Sequence, residues 1–240
     1  MYIRLNTNKK KFKVICFAMA IFLIFIANNS VLANTYNNNE VEIKFKDFSF
    51  TIDGYNKEDI ILDYNSSDES EIVKIIDKNT GETLEILENK PHTILESNNI
   101  YQNNYLANGN TTAHSFTRTQ KVGTTTLKFT IIVEIYNSGS FRQINSIQSK
   151  YLGISTAFTP MSIEDKSVSA WPQNNKYPAT VIHYGYSGTL VAQIDGNISI
   201  NSALKLLGTG FEYSGTVEGT AFYRRSFSNT GKIDIYGGYR

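Results

Sequence analysis

The chain has 240 residues, 41% of them hydrophobic and 19% charged, with a formal net charge of +1. Its single cysteine, Cys16, lies near the start, which excludes a disulfide framework and thiol chemistry from all that follows. The basic residues after residue 100 form no stripe, so nucleic acid is excluded as a partner.

The first segment carries Arg4, Lys9, Lys10, Lys11 and Lys13 without an acid, and then an unbroken apolar run from Val14 to Ala27. Asn28 to Ser30 leads to Val31-Leu32-Ala33, with small or aliphatic residues at the two positions that signal peptidase reads. This order is that of a secretory signal, residues 1–33, cleaved near Ala33. The run of 14 residues is shorter than the roughly 18–20 that span a bilayer, and no second apolar run follows, so no transmembrane segment is expected in the mature chain. The expected product is secreted or associated with the cell envelope. A disulfide-free exported chain fits a bacterium.

Charge divides the rest. Residues 34–100 hold 6 basic and 15 acidic side chains, and residues 101–240 hold 12 basic and 7 acidic. This asymmetry points to segments that attract one another, or to a basic face with an acidic partner. In chain order, Val41, Ile43 and Phe45 alternate with Glu42, Lys44 and Lys46, as in a strand. Phe48, Phe50 and Ile52 continue it, and the odd step from Phe45 to Phe48 calls for a bulge or a bend. After an acidic stretch, Ile72 to Asp77 and Thr83 to Leu87 flank Lys78-Asn79-Thr80-Gly81 as a hairpin. The Asn-rich segment from Ser97 to Ser115 reads as a linker, residues 101–112, between an acidic N-terminal β region, 34–100, and a larger β domain, 113–240.

The clearest strand follows, with Leu127, Phe129, Ile131, Val133 and Ile135 on one face. Asn137-Ser138-Gly139-Ser140 turns it into Phe141 to Tyr151, whose irregular spacing suggests a bulge. Further strands are predicted at Ala179–Tyr186, Leu190–Ile200, Ala221–Phe227 and Lys232–Tyr236, divided by Ser187-Gly188, by Gly208 to Gly210 and by Asn229-Thr230-Gly231. Tyr-Ser-Gly-Thr occurs at 186–189 and at 213–216 and reads as reused turn chemistry. Ser202 to Leu207 reads as one short helix. The expectation is a mainly β protein, an antiparallel β-sandwich or barrel in its C-terminal part, with a small acidic N-terminal region that contains a β-hairpin.

Chemistry-bearing constellations are few. His92, His114 and His183 show no metal-ligand spacing, and no Gly-x-Ser-x-Gly elbow is present. Asp63, Asn65 and Ser67 begin like a calcium loop, but Asp68 and Lys74 occupy the positions of its Gly and its bidentate Glu. The acids Glu134, Glu164, Asp165, Asp195, Glu212, Glu218 and Asp234 are scattered. No cofactor, metal or catalytic set is assigned. Trp171, Tyr177, Tyr184 and Tyr186 gather around Pro172 and Pro178, and an exposed row of such rings would stack on sugar or peptide. The expected function is a non-enzymatic exported protein that binds an extracellular polymer or protein. The alternatives are a secreted hydrolase using scattered carboxylates and His183, and a membrane-active β toxin built on the hairpin of Thr124–Tyr136 and Phe141–Tyr151.

Overall fold

The computed structural model describes residues 40–92 and 111–238. The expected signal peptide and nearly all of the expected linker lie outside the described residues. Two antiparallel six-stranded sheets face one another in a sandwich without barrel closure. The first contains β1 (Val41–Lys44), β2 (Ser49–Ile52), β12 (Thr220–Asp234), β10 (Val181–Asp195) and β9 (Met161–Pro172) in that order, with β11 (Glu212–Val217) also on β12. The second runs in chain order through β3 (Ile60–Ser66), β4 (Glu71–Asp77), β5 (Thr83–His92), β6 (Thr111–Val122), β7 (Thr125–Ser138) and β8 (Phe141–Thr156). The α-helix among the described residues, α1 (Ile200–Leu207), is capped by Ser199 Oγ accepting from the Ser202 N–H.

Alternation places the core. Leu127, Phe129, Ile131, Val133 and Ile135 of β7 are all buried, and the last four share a core cluster with Ile182, Tyr184 and Tyr186 of β10. A second cluster under α1 joins Ala203, Leu207 and Phe211 to Leu127, Leu190 and Tyr223. The β4–β5 hairpin forms as expected, with Asp77 accepting from the Asn79 and Thr80 N–H groups and Gly81 at φ +71°.

The step from Phe45 to Phe48 is not a bulge. The chain reverses there, with the Phe45 N–H donating to Phe48 O at 2.8 Å. A reversal through Lys46 and Asp47 sets the two rings opposite each other on one face, stacked at 4.5 Å. Ser187-Gly188 and Asn229-Thr230-Gly231 are not turns either, because β10 and β12 each run through them unbroken. Packing asks for these glycines: a Cβ on Gly188 would stand 2.8 Å from Ile163 Cγ2, and one on Gly231 would collide with Tyr184 Oη and Thr51 O. Both copies of Tyr-Ser-Gly-Thr lie inside strands, β10 and β11.

Besides β11, three strands lie where no periodicity points to one. β9 carries Glu164-Asp165-Lys166 through a bulge, with Asp165 at φ +50°. β6 begins at Thr111, inside the expected linker. β3 contains Asp63, which pairs with Lys74 at 3.8 Å. The described residues form one compact unit. Strands from before and after residue 100 share both sheets: β5 pairs with β6, and β2 with β12.

Candidate functional site

On β10 the residues Ile182, Tyr184 and Tyr186 point inward, which sends His183, Gly185 and Ser187 to the outer face. Trp171 on edge strand β9 is the register partner of His183 and shares that face. The indole, 40% exposed, lies nearly parallel to the imidazole, with ring centroids 5.9 Å apart and planes at 19°. Lys232 stands on the other side of His183 and pairs with Glu40 at 3.8 Å. Along the strands the side chains shrink: Gly185 lies between Ser169 and Thr230, and Ser187 between Ser167 and Ser228. The result is an open strip of hydroxyls and glycine that ends on a ring platform.

The four aromatic residues expected to form one patch are divided. Tyr177 is 42% exposed, and its hydroxyl accepts from the Ile147 N–H at 3.1 Å, which ties it to β8. Tyr184 and Tyr186 are core residues, 0% and 3% exposed, stacked on Phe129 at 5.1 and 4.8 Å. The reason is phase: they alternate with His183, so one face or the other had to turn inward, and the apolar one did.

Beneath them lies a polar cluster that the sequence pattern does not announce. Arg118 of β6 and Glu85 of β5 are fully buried and form a bidentate ion pair. Tyr55 Oη donates to Glu85 Oε2 at 2.8 Å, and Arg118 also donates to Thr230 O at 3.2 Å and Asn229 Oδ1 at 3.3 Å. Burial, the largest single influence, works against the guanidinium charge, and Glu85 together with Tyr186 and Tyr184 outweighs it, so Arg118 is held above its ordinary range. Burial pushes the Tyr184 phenol up to about 12 and also raises Tyr186 and Tyr55. Among the described residues the Tyr184 and Tyr186 hydroxyls have no hydrogen-bond partner.

A concavity of about 920 Å³ opens at one end of the sandwich, lined by Lys46, Glu71, Thr112, His114, Asn137 and Arg142 among others. A chain of hydrogen bonds crosses its wall. Arg142 Nε donates to Asn137 Oδ1 at 3.1 Å, and Asn137 Nδ2 to Thr112 Oγ1 at 3.4 Å. Thr112 Oγ1 stands 3.1 Å from His114 Nε2, and His114 Nδ1 3.2 Å from Asn89 Oδ1. With Nδ1 as the protonated nitrogen every contact has a donor and an acceptor. The signal for this set is Thr112 and His114 two apart on a strand, while Asn89 enters only through the β5–β6 pairing. Among the described residues no group of His, Cys, Asp and Glu converges as metal ligands. No helix there is long and apolar enough to cross a membrane.

Comparison of the chain with known protein families, with characterised proteins and with solved structures finds no match.

Proposed function

We propose that the chain is an exported bacterial protein of the extracellular space or cell envelope, and that it binds an extended polymer or a protein partner without chemistry of its own. The carrying observation is the Trp171–His183 platform, an exposed ring laid flat at the end of a strip of small hydroxyl side chains. An indole face binds the apolar face of a sugar or a side chain, and neighbouring hydroxyls and Lys232 Nζ supply direction. Trp171 is the only tryptophan in the chain, so its fluorescence reports on this surface alone. Titration with soluble polysaccharides and peptides is expected to shift that emission, and Trp171→Ala to weaken binding about tenfold or more, the equivalent of 1.4 kcal/mol. Unchanged emission across the panel, or undiminished binding by the variant, would overturn the reading.

One observation favours the hydrolase alternative. Thr112, His114 and Asn89 follow the hydroxyl, imidazole and carbonyl order of an activated nucleophile. This reading expects hydrolysis of an activated ester such as p-nitrophenyl acetate, lost in both Thr112→Ala and His114→Ala. Equal rates in the wild type and the two variants would dismiss it.

A further inference from the structure

Strand β12 has a complete neighbour on one side and an interrupted one on the other. β10 pairs with it from Thr220 to Asp234. Opposite β10, β11 covers Thr220 to Arg224 and β2 covers Gly231 to Asp234, and among the described residues no strand pairs with Arg225 to Thr230 on that side. β2 and β11 are both antiparallel to β12, so they run in the same direction along one lane, separated by a gap six residues long.

Backbone groups of a strand point alternately to its two neighbours. In β12 the odd positions face β10: Ile235, in phase with them, donates its N–H to Thr180 O at 3.1 Å. The even positions face the lane. Phe222 O accepts from Ser214 Oγ at 3.1 Å. At Thr230 side chains stand in for the missing strand, with the N–H donating to Asp53 Oδ1 at 3.4 Å and the carbonyl accepting from Arg118 Nη1 at 3.2 Å. Ser226 and Ser228 have no such substitute. Their N–H and C=O groups point into the gap without a partner among the described residues, and both residues are exposed.

We infer that the gap between β2 and β11 is a docking lane for an extended peptide of a partner protein. Two donor–acceptor pairs at a two-residue repeat match a second polypeptide backbone, and a saccharide offers no such ladder. The lane is closed at both ends, which suits a short segment and refuses long edge strands such as β8, of 16 residues, or β9, of 12, in a second copy. On the outer face Ser226 and Ser228 border Thr189 and Ser187, small residues that leave room for side chains of the incoming strand. A proline at an amide that faces β12 breaks the ladder. The inference does not depend on the Trp171 surface.

Amide hydrogen exchange on the full chain reads the lane directly. Free protein is expected to show fast exchange at Ser226 and Ser228 beside slow exchange at Arg225 and Phe227, which face β10. Equal protection at all four would mean the chain fills its own lane, and protection that rises with protein concentration would make a second copy the occupant; either result overturns the proposal. The probe is a random hexapeptide display library selected on the full chain and counter-selected on Ser226→Pro, which removes one lane-facing N–H and leaves the β10 ladder intact. A selected peptide at 100 times its Kd is expected to slow exchange at Ser226 and Ser228 about 100-fold. The same peptide methylated at the amides that face β12 is expected to have no effect. Absence of any selected peptide, or equal binding by the methylated one, also overturns it, and the methylation test needs no variant protein.

Discussion

Arg118 and Glu85 show how much a single buried residue can demand of its surroundings. A buried charge is tolerated only when paired and hydrogen-bonded, and here the partners come from four segments: Glu85, Tyr55, Asn229 with Thr230, and the Tyr186 ring, 5.7 Å below the guanidinium. Glu85→Ala leaves the cation uncompensated and is expected to cost about 3–5 kcal/mol in urea unfolding, while replacing both partners with Leu and Met recovers most of that loss. The tyrosine hydroxyls beside it predict the opposite sign. Tyr184 and Tyr186 bury Oη groups without a partner among the described residues, so Tyr184→Phe and Tyr186→Phe are expected to be neutral or stabilising by about 1 kcal/mol.

These phenols also set an alkaline limit. Tyr55, Tyr184 and Tyr186 keep their protons in the folded state above the ordinary tyrosine range, because burial disfavours the phenolate. The unfolded chain releases them near pH 10, so their contribution is complete below about pH 10 and declines as pH rises toward 12, by about 1.4 kcal/mol per pH unit for each group. Urea midpoints measured from pH 9 to pH 11.5 are expected to fall steeply and to fall less in the Tyr184→Phe, Tyr186→Phe double variant. A flat profile would contradict this account.

At the scale of elements, the glycines inside β10 and β12 mislead a reader who takes glycine as punctuation. Tyr184 is the register partner of Gly231, and its hydroxyl occupies the space that a Cβ there would need. Gly231→Ala is therefore expected to overpack the interface and cost about 1–3 kcal/mol, with Tyr184→Phe partly restoring it. In α1 the cap is the local determinant: Ser199→Ala is expected to cost about 1 kcal/mol, measured by thermal or chemical unfolding, because it strips the Ser202 N–H of its acceptor. Helix α1 and the β4–β5 hairpin are legible in sequence because each is specified by neighbours in the chain, Ser199 with Gly208 and Asp77 with Gly81. Strand β9 is not legible, since its ladder to β10 is made by residues about 20 positions away and its bulge breaks the alternation.

For the whole molecule, the opposite charges before and after residue 100 meet inside one fold. Glu82 pairs with Lys121, Glu85 with Arg118 and Glu40 with Lys232, each acid from the N-terminal part and each base from the C-terminal part. The exposed pairs contribute little, and what joins the parts is the β5–β6 and β2–β12 ladders and the shared core. A fragment of residues 111–240 would expose the inner edges of β6 and β12 together with Phe116, which packs on Phe48 and Phe50. It is expected to show neither the circular dichroism of the full chain nor a cooperative unfolding transition, and a stable fragment would support a separate C-terminal domain.

Alternation along Val41–Ile43 and Leu127–Ile135, the turn at Gly81 and the Ser-capped helix are written in neighbouring residues, and from them the sequence by itself determined a mainly β antiparallel protein. Composition added the absence of cysteine after Cys16. Only the tertiary structure decided that Tyr184 is core and Trp171 is surface, because two faces of one sheet differ by what covers them. The same holds for His114 with Asn89, for the pairing of Arg118 with Glu85 and for the gap beside Ser226 and Ser228. Each depends on which strands lie side by side, a choice made by long-range pairing that no window of sequence contains.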